Sequence, residues 1–318
     1  MTVKKDCVTC AFVFPLFFGF SSSLGTDIED VITHSFDVSE GGILTMNVGQ
    51  GSIEVNTGSG DIVKVKVIRT LSTSNESKAQ AIFEKYKIDF HHSGRDVTIK
   101  TLDSGHVRRK GLFSWLRDVN FRMRFIVTIP GKYNLNLKTS GGSISVGEIQ
   151  GDTKAKTSGG SLSFANIKGP VWARTSGGSI CLDGCLENAD IQTSGGEIRI
   201  GKAEGEVKAI TTGGSIDVKE VMGTINARTT GGSVSAYISK QPKSDCSLIT
   251  SGGSITMYLA KDIKVNVDAK TSGGRVSTDF PITMQGEISK RQLKGEINGG
   301  GPQLHLKTSG GSIRIKKV

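Results

Sequence analysis

Proline is scarce in this chain of 318 residues, at 6, while glycine reaches 42. Glycine-rich disorder is short of apolar residues as well. Here 36% of the chain is hydrophobic and the apolar positions are patterned, so a folded protein is expected. Histidine is sparse too: His34, His91, His92, His106 and His305 are scattered. Adjacent His91 and His92 in a strand point to opposite faces, which argues against joint metal binding. There are 5 cysteines. Cys7 and Cys10 fall in the N-terminal apolar stretch, leaving Cys181, Cys185 and Cys246. These lack a nearby histidine or a second cysteine pair, so the spacing does not support zinc. An odd count leaves at least one thiol free or paired between chains, and a Cys181–Cys185 bridge stays open.

Clustered carboxylates are missing as well. Polysaccharide lyases and hydrolases need them for acid/base work. Glu148, Asp152, Asp183, Asp190, Glu197, Glu204, Glu206 and Asp217 do not share one column of the repeat described below, and they read as a solvated face. No Ser/His/Asp or Cys/His arrangement emerges from spacing. The expectation is a protein that is not an enzyme and needs no cofactor.

No apolar run reaches the ~20 residues that cross a bilayer as a helix. The longest, Cys7 to Phe20, is 14 residues. It follows Lys4 and Lys5 and precedes small residues, with Ser23 and Gly25 placed for cleavage, which is the order of a secretory signal peptide over residues 1–25. A retained N-terminal anchor is the alternative. Either reading places the remainder outside the cytoplasm, in a periplasmic, cell-envelope or extracellular location.

What the chain does have is a repeat. Glycine pairs stand at Gly141 and Gly142, Gly159 and Gly160, Gly177 and Gly178, Gly195 and Gly196, Gly213 and Gly214, and Gly231 and Gly232, in steps of 18. Gly252 and Gly253, Gly273 and Gly274, and Gly310 and Gly311 continue the series at wider spacing. Halfway between pairs lie Gly151, Gly169, Gly205 and Gly223, with Glu187 as the exception. The unit is therefore a nonapeptide used twice per 18-residue turn. Ile144, Leu162, Ile180, Ile198, Ile216 and Val234 form one apolar column; Val146, Phe164, Leu182, Ile200, Val218 and Ala236 form a second. A third, smaller column is Ala155, Ala173, Ile191, Ala209 and Ala227. A spacing of two within each half-repeat is strand alternation. Like residues at like positions imply stacking in register. The fold class is thus all-β: a parallel β-solenoid with 18-residue turns made of two nonapeptide half-repeats. Successive turns stack on one another, glycines allow the tight corners, and the Thr-Ser hydroxyls stack along one edge.

Two ligand readings of the corners fail on chemistry. Calcium-binding β-rolls use GGxGxD, and "GGSISVGEI" and "GGSLSFANI" have no aspartate there. A phosphate loop needs a helix N-terminus or a following lysine, and here a strand follows.

Residues 34–132 read as an N-terminal cap continuous with the repeats at 133–318. It contains one short helix at 74–87, where Thr73 and Glu76 suggest a capping box and Ala79, Ile82, Phe83 and Tyr86 share a face. Residues 105–132 carry seven basic residues and one acid. Within them the loop 105–118 is the candidate contact surface: Arg108, Arg109, Lys110, Trp115 and Arg117 place basic groups beside aromatics, as suits an anionic lipid or glycan. A plain excursion packed on the solenoid is the competing reading. The formal net charge of +10 permits a polyanionic partner without identifying one.

The segments "FDVSEGGILTMNVGQGSIEV", "FIVTIP", the "TSGGSI" series and "GEINGGGPQLHLKTSGGSIRI" together resemble the bacterial putative-adhesin domain family over residues 34–318. Ile297-Asn298-Gly299-Gly300-Gly301 followed by a final "TSGG" is the most specific part. The resemblance implies an exported or envelope-associated β-solenoid of unknown biochemical function, and it supplies no catalytic residues. The function expected is that of an adhesin or structural solenoid contacting an envelope glycan, an anionic surface or a protein partner, with no specific nucleic acid. A scaffold docking partners through 105–118 and a polysaccharide-active enzyme are the alternatives.

Overall fold

The computed structural model describes residues 27–101, 120–284 and 289–318. The segment 1–25, expected as a signal peptide, and the segment 105–118, expected as a basic contact loop with Arg108, Arg109, Lys110, Trp115 and Arg117, lie outside them.

The described chain is a β-solenoid of two fourteen-stranded sheets packed face to face on one core. Each 18-residue turn gives one strand to each sheet. Leu162–Lys168 lies parallel to Ile180–Cys185 in the first sheet, pairing Leu162 with Ile180. Thr153–Lys156 lies parallel to Val171–Arg174 in the second, pairing Thr153 with Val171. The three apolar columns all point inward. Ile144, Ile180, Ile198 and Ile216 are buried, as are Phe164, Leu182, Ile200 and Val218. Ala155, Ala173, Ala209 and Ala227 show no exposure. Small side chains there let the sheets approach, and each turn buries its core face only by lying between neighbours.

Stacking does not follow chain order at the ends. The last turn, Gln303–Thr308 with Ile313–Lys317, is inserted between two earlier ones. On one side it pairs with Cys246–Ile249 and Ile255–Leu259. On the other it pairs with Val265–Thr271 and Val276–Thr278. The opening turn, Ile43–Val48 with Ser52–Gly58, is likewise held between Asn134–Thr139 with Ile144–Val146 and the strands Asp96–Thr101 and Phe121–Pro130. Beyond these, antiparallel strands finish the stack. Ile62–Ser72 and Asp27–Asp37 close the first sheet, and Ile88–Ser93 closes one end of the second. At the far end Gln292–Ile297 runs antiparallel to Val265–Thr271.

The helix spans Glu76–Lys85. Asn75, not Thr73, caps it: its side chain accepts from the Lys78 N–H at 2.9 Å. Thr73 instead accepts the Asn75 N–H at 3.2 Å, a turn just ahead of the helix, so the expected Thr73–Glu76 box does not form. Ala79 and Ile82 are buried with Leu71, and Phe83 and Tyr86 pack beside Phe121.

Candidate contact surface

The corners come first, because their chemistry decides whether they are available to a ligand. Among the described residues, glycines with a left-handed φ are Gly41, Gly51, Gly60, Gly94, Gly151, Gly299 and Gly300. None belongs to the repeated pairs, so backbone conformation is not why the pairs are glycine. Close approach is. A Cβ on Gly160 would lie 2.2 Å from the Gly142 oxygen, and one on Gly178, Gly196 or Gly214 would lie 2.1 Å from the oxygen one turn back. The first glycine of each pair is roomier, with 3.8 Å at Gly159 narrowing to 2.9 Å at Gly310.

Threonine closes the same corner. Nine buried hydroxyls, on Thr139, Thr157, Thr175, Thr193, Thr211, Thr229, Thr250, Thr271 and Thr308, each donate to a glycine carbonyl of the adjacent turn at 2.6–2.9 Å. Thr193, for example, reaches the Gly178 oxygen at 2.7 Å. The serine after the pair adds a second stitch: Ser143 Oγ accepts the Ser161 N–H at 3.1 Å, and Ser161 Oγ accepts that of Ser179 at 3.2 Å. The hydroxyls stack turn on turn along this corner as expected, but they divide between two sides. Threonine hydroxyls point inward and are spent on turn-to-turn bonds, and only the following residue, such as Ser140, Ser158 or Ser176, is exposed.

The remaining candidate surface is the outward face of the sheets, and the two differ in charge. In the second sheet, the strands Asn134–Thr139, Thr153–Lys156, Val171–Arg174, Ala189–Gln192, Val207–Ile210 and Ile225–Arg228 carry six cations and one carboxylate, Asp190. In the first sheet, the corresponding strands from Ile144–Val146 to Val234–Ile238 carry four cations and three carboxylates. One of the acids there, Asp217, is paired with Lys219 at 2.8 Å, and just beyond Ile198–Ala203 the Glu204 carboxylate is paired with Lys202 at 3.4 Å.

The register of the second sheet draws its outward residues into two straight columns. One reads Asn136, Lys154, Trp172, Asp190, Lys208, Asn226; the other reads Lys138, Lys156, Arg174, Gln192, Ile210, Arg228. At their centre the Arg174 guanidinium lies 4.6 Å from the Trp172 ring centroid and bonds the Asp190 carboxylate at 2.6 Å. It also donates to the Asp190 and Ala173 carbonyls, so it is fixed. Trp172 is 36% exposed. Beside it is an open hollow of about 150 Å³, lined by Asp152, Lys154, Trp172, Asn188, Asp190 and the buried Thr153 among others. Thr153 Oγ1 and Asp190 Oδ1 are buried there without a hydrogen-bond partner among the described residues.

Sequence reasoning passed over Trp172. The signal was present: Ala173 sits in the inward column, so its neighbour must face out, level with Lys154 and Asp190. The histidines are also less scattered than expected. His34 stacks on Phe90, with ring centroids 4.1 Å apart, and His92 packs on Phe36 at 5.5 Å, at the N-terminal end of the stack. Burial lowers the His34 pKa. Cys181, Cys185 and Cys246 are free thiols, with Cys181 exposed and the others buried. Burial pushes Cys185 up to about 11 and raises Cys246. Among the described residues no group of three or more His, Cys, Asp or Glu side chains is placed to hold a metal ion.

No curated protein matches this chain. Solved structures that resemble it include a "putative adhesin" from Parabacteroides merdae ATCC 43184, 13% identical, with 91% of this chain and 96% of that one covered and a TM-score of 0.46. A "putative lipid binding protein" from Parabacteroides distasonis ATCC 8503 is 14% identical, with 91% and 97% covered and a TM-score of 0.39. A "putative adhesin" from Bacteroides fragilis NCTC 9343 is 14% identical over the same shares, 91% and 97%, with a TM-score of 0.36. Such loose superpositions bear on neither ligand nor activity. The family model described as Toastrack DUF4097 matches residues 42–316, from the opening glycine corner to the last inserted turn, and the chain belongs to that family.

Proposed function

We propose that this chain is a non-enzymatic, exported β-solenoid that serves as an adhesive or structural module of the cell envelope, using its long sheet faces for contact. The observation that carries the reading is a segregation of charge over the central turns: the second-sheet strands from Asn134–Thr139 to Ile225–Arg228 carry six cations and one carboxylate, while the first-sheet strands from Ile144–Val146 to Val234–Ile238 carry four and three. A fold held together only for stability has no need to sort its charges by face. The Lys-Lys-apolar-small order of residues 1–25 supports export. Fractionation of cells carrying the tagged full-length chain tests this, with the tag expected outside the cytoplasm. Confinement to the cytoplasmic fraction would defeat the proposal.

The segment 105–118 is a second proposed contact element on its basic and aromatic composition. Pull-down with and without it separates a docking role from a plain excursion, since an unchanged partner set leaves it no role in docking.

A further inference from the structure

We propose that the outward face of the second sheet binds a linear, carboxylate-bearing polysaccharide laid along the solenoid axis, with Trp172 and the hollow beside it as the central subsite. This deepens the contact role proposed above and rests on it for access to such a polymer.

Geometry is the first reason. Cations at Lys138 and Lys156 stand on adjacent strands, followed by Arg174. Lys154 and Lys208 lie on either side of Trp172 and Asp190 in the neighbouring column. Adjacent strands are ~4.8 Å apart, close to the length of one pyranose unit in an extended glycan. A polymer with an acid on each ring would therefore meet a new strand at each ring. The arrangement is a line, not a patch, and suits a linear partner. Lys138, Lys154, Lys156, Lys208 and Arg228 form no salt bridge with a described carboxylate, so their charge is available for charge-assisted bonds.

Chemistry is the second. The columns also hold the amides Asn136, Gln192 and Asn226, which both donate and accept, as sugar hydroxyls require. The hollow of about 150 Å³ is well below the ~300 Å³ at which pockets begin to enclose a small molecule. It suits one substituent of a chain running past. The exposed Asp152 carboxylate and Asn188 amide of its lining are groups that bond a sugar hydroxyl, while the polymer's own acid meets the flanking lysines. Arg174, pinned by Asp190 and stacked on Trp172, holds the indole in place before any ligand arrives.

A membrane is the poorer fit. A surface seated in lipid needs several exposed apolar side chains beside its cations, and Trp172 is the one large exposed apolar residue on these six strands.

The test uses purified full-length protein and polygalacturonate as the probe, with its methyl ester, a neutral glucan and single-stranded DNA as comparisons. Polygalacturonate is expected to bind, with affinity falling as salt rises. Its methyl ester should bind about tenfold more weakly or less, because only the charge is removed. The double variant Lys138→Ala/Lys156→Ala and the single variant Trp172→Ala should each lose about tenfold. Lys202→Ala/Lys219→Ala, on the other sheet, should stay within about twofold. Circular dichroism confirms that each variant is folded, and a misfolded Trp172 variant is replaced by Trp172→Phe, for which a measurable loss is again expected. The proposal falls if polygalacturonate does not bind at low salt, if the ester binds equally, if DNA binds more tightly, or if the Lys202/Lys219 variant loses as much. An exported protein that fails here keeps the envelope reading and loses this one. A cytoplasmic one loses the envelope reading whatever it binds.

Discussion

Replacing Gly160 with alanine should unseat the stack, whereas the same change at Gly159 should not. The two residues are neighbours in one corner, so composition, exposure and position along the solenoid are nearly held constant. A methyl at Gly160 would sit 2.2 Å from the Gly142 oxygen, and ordinary contact begins near 3.4 Å, so the two turns must part by roughly 1 Å. Parting stretches two bonds across that seam, Thr157 Oγ1 to Gly142 O at 2.8 Å and Ser161 N to Ser143 Oγ at 3.1 Å. Overpacking costs ~1–3 kcal/mol and each weakened bond ~1 kcal/mol, giving a loss of about 3–5 kcal/mol. At Gly159 the nearest atom would be 3.8 Å away, an ordinary contact. Losing the glycine's freedom in the unfolded chain there gains ~0.4–1 kcal/mol. The assay is thermal and urea unfolding followed by circular dichroism. At ~2–4 °C per kcal/mol, the two midpoints should differ by roughly 10 °C. Gly195→Ala and Gly310→Ala, with clearances of 3.3 and 2.9 Å, should fall between them in that order. If Gly159→Ala proves as damaging as Gly160→Ala, glycine is there for the bend, and backbone approach is the wrong explanation.

Thr193→Val keeps the shape of a buried corner residue and leaves the Gly178 carbonyl without its 2.7 Å donor, so a loss of ~1–3 kcal/mol in urea unfolding is expected. For His34, burial favours the neutral ring, so its native pKa lies below the unfolded 6.5. The stability linked to it is complete above pH 6.5 and lost as pH falls through that value toward the native one. Protection of the amides of Asp27–Asp37, where His34 lies across from Val65 and against Phe36 and Phe90, should fall between pH 7.5 and about 5.5 once the intrinsic pH dependence of exchange is divided out, and His34→Phe should abolish that fall. Glu54, whose carboxyl is held low by hydrogen bonds from Arg124 and Asn56, adds its own loss only at more acidic pH. Peptide mapping after brief alkylation should find Cys181 labelled and Cys185 and Cys246 spared until the protein unfolds.

The core of the fold was legible because a solenoid writes each contact many times. One apolar position such as Ile198 says little, but Ile180, Ile198 and Ile216 at equal spacing report a stacked column, and their pairing follows. The corners were legible as glycine and not as chemistry. Thr-Ser-Gly-Gly gives two hydroxyls in a row, and strand parity alone does not say which one turns inward at a bend. The inward one is threonine, whose methyl tolerates burial while its hydroxyl reaches the carbonyl that close glycine packing brings within 2.8 Å. The basic face was legible in principle, since alternation puts Lys154, Trp172 and Lys208 on one side. Attention to the denser charge of 105–118 obscured it, because a run of cations in sequence is conspicuous and a column of cations 18 residues apart is not.

Stacking order at the ends was beyond such reading for a reason visible in the turns themselves. "TSGGSIRI" at the end of the chain and "TSGGRVST" before it offer the same corner, so either fits on "TSGGSITM". What separates them is how well each can be buried on both sides. The inserted turn brings Leu304, Leu306, Ile313 and Ile315, all fully or almost fully buried. The outer turn brings Val276 and Thr278 to the corresponding first-sheet positions, and both stay partly exposed. It also replaces the corner serine with Arg275, whose N–H still donates to the Ser312 hydroxyl oxygen but whose side chain gives no hydroxyl to a turn beyond. A turn that can be covered on two faces gains more by lying inside, and one with a polar inward residue and no onward stitch loses least by lying outside. The chain therefore passes its best-formed final turn back under a poorer one. The edge it leaves in the first sheet, Val276–Thr278, is only three residues long, and so short an edge gives another strand little to pair with.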